Sequence, residues 1–176
     1  MVEEHCTITI PLVVQCSIIP ALFQIQREHL ITDHDLVNIV GFSGLVPRDR
    51  IRLVAKGLKA GFDGDFVVAL HLLVPQLEHL VRIHLQNFGT KTNREDDAGL
   101  QMELGLASLA NLPAMITVFG EDLGFEIQAL FCDGFGSNLR NEVAHGLLED
   151  GGMRSAPSVY AWWLIFRMIY LPYYLY

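Results

Sequence analysis

The residues best suited to chemistry lie in one stretch, GSNLRNEVAHGL, from Gly136 to Leu147. It sets Arg140 and His145 five apart near the start of a predicted helix that follows a Gly-rich turn. Five residues turn a helix by about 500°, so the two side chains diverge by about 140°. Asn141 and His145, four apart, share a face. Arg140 sits in the first turn and can bend back toward the helix start, where free N–H groups and the helix dipole favour an anion. An arginine for a phosphate and a histidine that titrates near neutrality are the parts that metal-independent RNA cleavage needs. In that chemistry His145 takes the proton of a ribose 2′-hydroxyl, Arg140 stabilises the charge gathering on phosphorus, and Asn141 orients the phosphate or His145. The same spacing also suits a plain helix N-terminus, with Asn138 as its cap and Arg140 in a surface ion pair. From spacing alone the plain reading is the default.

A second cluster supports the first. His71, Glu78, Arg82 and Gln86 recur at helical spacing on a segment otherwise rich in Leu and Val. Glu78 and Arg82 form an i,i+4 pair, favourable by about 0.2–0.5 kcal/mol when exposed. Half-buried near a cleft, the pair would orient a catalytic group; exposed, it is one stripe of an amphipathic helix. A basic stripe, Arg48, Arg52, Lys56 and Lys59, shares one helical face, with Arg50 nearby. A solvated face is the ordinary reading of such a stripe; a track for an RNA backbone is the functional one. His79 and His84 read as core or edge histidines. No His, Cys, Asp or Glu spacing makes a metal site, and no cofactor is implied.

The elements that must position these residues are helices, because periodicity is helical almost throughout. Strand alternation is confined to short pieces such as Thr7–Ile10. The pattern predicts a helix over 11–28, bent or divided near Pro20, and a short one over 33–42 capped by Asp33. Pro47 opens a helix that reaches about Lys59. A long central helix covers 65–88 with Pro75 inside it, and 89–99 is a polar loop. A short helix falls within 100–113 and another runs over 121–132. After the tight connection 133–137 the motif helix runs from about Asn138 to Leu148, and an apolar helix ends the chain. The whole is predicted as one all-α domain over 1–176, a bundle of five to eight helices with no sheet of three or more strands.

Composition bounds the rest. Of the 176 residues, 51% are apolar and 18% charged, and mean hydropathy is +0.33. That excludes intrinsic disorder. It implies apolar surface covered by a second copy, by a partner protein, by a segment beyond this chain, or by a membrane. The last of these is not favoured. The run from Thr7 to Phe23 is broken by Pro11, Gln15 and Pro20, and the run from Tyr160 to Tyr176 carries Arg167 near its middle. Exposed aromatics on that final run would offer a dimer surface. A net charge of −8 argues against a general electrostatic nucleic-acid binder. Three cysteines without a CxxC pattern fit reduced thiols in the cytoplasm.

NLRNEVAHG, with Arg140, Asn141 and His145, resembles the motif of the HEPN superfamily, an arginine, often a polar neighbour, then a histidine after four to six residues. GFDGDFVVALHLLVPQLEHLVR (61–82) and NLRNEVAHGLLED (138–150) together resemble the family called domain of unknown function 4209. The likeness covers about residues 46–150, leaving 1–45 as N-terminal helices and 156–176 as the last apolar helix. The resemblance implies a helical bundle that forms a homodimer, with Arg–His pairs of both protomers lining one cleft. It implies a metal-independent endoribonuclease, often in toxin or antiviral systems, that leaves 2′,3′-cyclic phosphate and 5′-hydroxyl ends. Other members are non-catalytic modules that dimerise or bind RNA or a partner, and that is the alternative here. In the branch regulated by adenylylation a Tyr stands two residues after the His; Leu147 holds that place, so that regulation is not expected. The homodimer is expected to use apolar surface of the last helix or of the motif helix.

Overall fold

The first 28 residues form one helix, α1 (Val2–Glu28). Strand alternation at Thr7–Ile10 does not survive, and the helix is not divided at Pro20. A proline ring presses on the carbonyl four residues back. For Pro11 and Pro20 those carbonyls belong to Thr7 and Cys16, and both lie in widened turns of π-helix, His5–Thr9 and Val14–Ile18. The wide turns make room for the rings and have a second effect. Cys6, Ile10, Val14, Ile18 and Leu22 are all buried, one every four residues. In an unbroken α-helix that line would drift by about 40° per step. The extra residue in each wide turn cancels the drift and keeps the line on the core.

The computed structural model describes residues 1–95 and 99–175, with side chains through Pro172. Helix α2 (Asp33–Phe42) is capped by Thr32, not by Asp33, in a reciprocal box with Asp35. Helix α3 (Ile51–Phe62) follows Pro47 and a 3₁₀ turn, Arg48–Arg50. Helix α4 (Phe66–Asn87) is the central rod, with Asp65 Oδ1 accepting the Val68 N–H at 3.1 Å and Pro75 inside. Its Ala69, Leu70, Leu73, Leu77, Val81 and Leu85 are fully enclosed. The polar loop that follows holds a small antiparallel hairpin, β1 (Asn93–Glu95) and β2 (Gln101–Glu103), with Arg94 opposite Met102. Short helices α5 (Leu106–Ala110) and α6 (Ala114–Phe119) lead to α7 (residues 121–132), which ends in a third wide turn, Gln128–Cys132. Helix α8 (Leu139–Ala144), a helical turn at Asp150–Met153 and the last helix, α9 (Ala156–Leu175), complete the chain.

The chain is 73% helical, so the all-α expectation holds. Nine helices exceed a single turn among the described residues. That is one more than the upper end of the five to eight expected, because α6 forms at 114–119, where the pattern assigned no helix. Helix α9 is a core helix. Tyr160, Trp162, Leu164, Ile165 and Ile169 are buried. The Trp162 indole rests on Gly61 of α3, where an added Cβ would lie 2.1 Å from its nitrogen, and that nitrogen donates to the Leu58 carbonyl at 3.1 Å. Of the aromatics in this run, Tyr160 and Trp162 are buried, while Trp163, Phe166 and Tyr170 are half-buried. The side chains of residues 173–176 lie outside the described residues.

Candidate functional site

The approach to α8 is built from close contacts. Asp133 Oδ1 accepts the Phe135 N–H at 2.8 Å and shapes the turn. Gly136 lies against the π-turn that ends α7; a Cβ there would stand 1.9 Å from the Ala129 carbonyl oxygen. Asn138 then takes a left-handed backbone, φ 44° and ψ 32°, a conformation that Asn tolerates better than most residues. It was expected to cap the helix, but its side chain bonds no helix N–H. Its Oδ1 instead accepts the Asn141 Nδ2–H at 3.0 Å.

Arg140 does not bend back to the helix start. Its Nε–H donates to Glu78 Oε2 at 3.0 Å, and its Nη1–H donates to Asn141 Oδ1 at 3.0 Å. Glu78 joins three elements. It accepts from Arg82 on its own helix at 2.8 Å, from the Leu106 backbone N–H at the start of α5 at 3.1 Å, and from Arg140 on α8. Arg82 also donates to the Leu104 carbonyl at 2.7 Å, and its Nε stands 3.2 Å from Glu103 Oε2. The Glu78–Arg82 pair is thus partly buried, and Glu78 also pairs with Arg140. Burial acts to raise the Glu78 carboxyl, but the hydrogen bonds from Arg82, Arg140 and Leu106 outweigh it and hold the group below its ordinary value. Of this set, Arg140 keeps 33% of its side chain exposed. A shallow cleft of about 160 Å³ opens beside it between α4 and α8, lined by Val74, Pro75, Glu78, Arg140, Val143 and Ala144.

His145 lies outside the helix. Helix α8 was predicted to reach Leu148 but stops at Ala144. Gly146 takes φ 64°, its N–H bonds the Val143 carbonyl, and the Leu147 N–H bonds the Glu142 carbonyl. This paired closure with a left-handed glycine is the Schellman ending. The signal was present as the Gly that follows His145. Its effect is to leave His145 exposed at the helix end. Asn141 and His145 remain one turn apart, joined by the backbone bond from His145 N–H to the Asn141 carbonyl.

Around the motif, Phe135 is 82% and Leu147 65% exposed. Cys132 packs behind the cleft, and burial pushes its thiol up to about 12, which keeps it protonated and unreactive.

The basic stripe stands elsewhere. Arg48, Arg52 and Lys56 are exposed, while Lys59 is paired with Asp63 at 2.6 Å. Leu73 meets Gly57 of α3 and Glu78 meets α8. These two residues are about 140° apart around α4, so the stripe and the motif occupy different sides of that helix. Among the described residues no group of three or more His, Cys, Asp or Glu could hold a metal ion. A second cavity, about 780 Å³ among α4, α6, α7 and α9, is lined by His84 and Arg167 but by none of the motif residues. Its walls are mainly aliphatic and aromatic. The Glu126 carboxylate on its wall accepts from the Tyr160 hydroxyl at 2.9 Å and lies 3.0 Å from His5 Nε2.

In comparisons with protein-family profiles, curated proteins and solved structures, nothing matches the chain.

Proposed function

We propose that this protein is a metal-independent endoribonuclease whose reacting groups are Arg140 and His145. The observation that carries the reading is the mounting of Arg140. Glu78 and Asn141 fix its Nε and Nη1, a third of the side chain stays open to solvent, and His145, five residues on, is exposed. A guanidinium held at two nitrogens and still partly open to solvent has N–H donors left for a phosphate oxygen. His145 removes the 2′-hydroxyl proton, the 2′-oxygen bonds to phosphorus, and the P–O5′ bond breaks. The 5′-oxygen takes a proton from water, leaving a 2′,3′-cyclic phosphate and a 5′-hydroxyl. Asn141 acts as a positioning residue for Arg140. The resemblance to the HEPN superfamily supports this reading, and with it a cytoplasmic toxin or defence nuclease that works as a dimer.

A second reading has its own observation. Glu78 already supplies Arg140 with a counter-ion inside one protomer, which is what a purely structural arginine has. On that reading the domain is a helical module that binds a partner. The test is incubation with mixed RNAs in EDTA. Wild type should cleave them, His145→Ala should lose about 10²–10⁴-fold in rate, Arg140→Lys should also be impaired, and DNA should survive because it lacks the 2′-hydroxyl. Each variant should keep the wild-type helical circular dichroism. Intact RNA with wild type, or undiminished cleavage by His145→Ala, rejects the nuclease and leaves the binding module.

A further inference from the structure

The cavity among α4, α6, α7 and α9 encloses about 780 Å³, within the range of sites that hold one small ligand, about 300–1,000 Å³. Its polar groups fall into two sets. Those in the wall are already satisfied by the protein. Glu126 accepts the Tyr160 hydroxyl on one carboxylate oxygen and stands 3.0 Å from His5 on the other. His84 donates from Nε2 to the Leu45 carbonyl at 2.9 Å. These bonds fix α1, α7 and α9 to one another and α4 to the segment before α3. They leave the space between to apolar side chains, among them Leu80, Val118, Leu123, Ile165 and Met168. The second set stands at the mouth. Glu121, Asp122 and Arg167 line the cavity, are exposed, and form no ion pair among the described residues. Arg167 instead lies over the Trp163 ring, 5.5 Å from its centroid.

We propose that this cavity binds a single-chain zwitterionic amphiphile, its hydrocarbon tail inside and its phosphate–ammonium head at the mouth. The phosphate goes to Arg167, whose guanidinium gives charge-assisted hydrogen bonds to phosphate oxygens. The ammonium goes to Glu121 and Asp122. Charge selects this class over its simpler relatives. A fatty acid would satisfy Arg167 but bring its carboxylate to a mouth that already carries Glu121 and Asp122. An alkylammonium would satisfy those two and bring its charge to Arg167. Like charges set together across an interface cost affinity. A head with both signs answers all three side chains, and a tail displaces water from the apolar interior. The site uses none of the motif residues, so it stands or falls apart from the ribonuclease reading.

The test titrates the full chain with dodecylphosphocholine below its critical micelle concentration, read by calorimetry and tryptophan fluorescence. Binding should saturate at one molecule per chain. Decylphosphocholine should bind about tenfold more weakly, for two fewer methylenes in the cavity, and phosphocholine alone should not bind. Laurate and dodecyltrimethylammonium should each bind at least about tenfold more weakly than dodecylphosphocholine, since each meets a like charge. Arg167→Glu, at an exposed position, should weaken dodecylphosphocholine and strengthen dodecyltrimethylammonium, a reversal that loss of fold cannot produce. Met168→Trp, which fills the cavity, should abolish binding with circular dichroism unchanged. Several observations would each overturn the proposal: no saturable binding, many detergent molecules per chain, or laurate or dodecyltrimethylammonium binding as tightly as dodecylphosphocholine. So would indifference to Arg167→Glu, undiminished binding by folded Met168→Trp, or flotation with phosphatidylcholine vesicles without binding of the monomeric amphiphile.

Discussion

Glu78 contributes through its charge. Its carboxylate faces Arg82, Arg140 and the Leu106 N–H, and its value in the folded chain lies below that of the unfolded chain. As pH falls the unfolded chain therefore binds the proton first. The stabilisation is complete above the ordinary carboxylate range and is lost as pH drops through the folded value. Glu78→Gln keeps the shape and removes the charge. It should cost about 1–3 kcal/mol at pH 7, and the gap from wild type should close on acidification, as urea denaturation at pH 7 and below pH 4 would show. A constant gap would mean that packing, not charge, is what Glu78 supplies. At this scale the sequence was partly legible. The Glu78–Arg82 pair follows from i,i+4 spacing on one helix, and Arg140 with His145 from their motif. The bond between Glu78 and Arg140 spans 62 residues, and no local pattern encodes a contact made by two helices meeting. The same applies to Asn138. Its type suits a cap, but its backbone is left-handed and its side chain bonds Asn141 instead.

Among the elements, α8 shows how one residue sets a boundary. Gly146 closes the helix at φ 64°, and a Cβ added there would meet nothing within 4 Å. Gly146→Ala therefore tests the backbone alone. It should cost about 1 kcal/mol, near the penalty of a left-handed conformation for an ordinary residue, and Gly146→Asn should recover part of it. Thermal denaturation of the three proteins would decide; equal stability would show that the turn re-forms without its glycine. Helix starts were otherwise readable near Pro47 and Asp65, while the cap of α2 fell on Thr32 and not on Asp33. Limits were missed where a proline sits mid-helix. Pro11 and Pro20 suggest a break, and α1 absorbs them by widening a turn, an adjustment that depends on the core holding both flanks in line.

For the whole molecule, class was legible and arrangement was not. Apolar periodicity and the lack of hairpin turns establish a helical bundle, yet nothing local says that Trp162 seats on Gly61, a hundred residues earlier, or that the final aromatic run faces the core. Hydropathy also misdirects: the most apolar stretch at the C-terminus is interior, while α1, with a mean hydropathy of 1.9 over its best window, has only 28% of that window buried. The wide turns of α1 have one more consequence, for the lengths of chain this fold accepts. Each such turn is an ordinary helix holding one surplus residue, with both flanks where an α-helix would put them. Removing Gln15, inside Val14–Ile18, should leave Cys6 and Ile10 on the core and lower the melting temperature little. Removing Ala21, outside any wide turn, swings everything before it by about 100° and should unfold the domain or cost several kcal/mol by exposing the buried line. Equal damage from the two deletions would refute the idea. If it holds, the two wide turns of α1 are places where the chain can lose a residue without moving the buried line off the core.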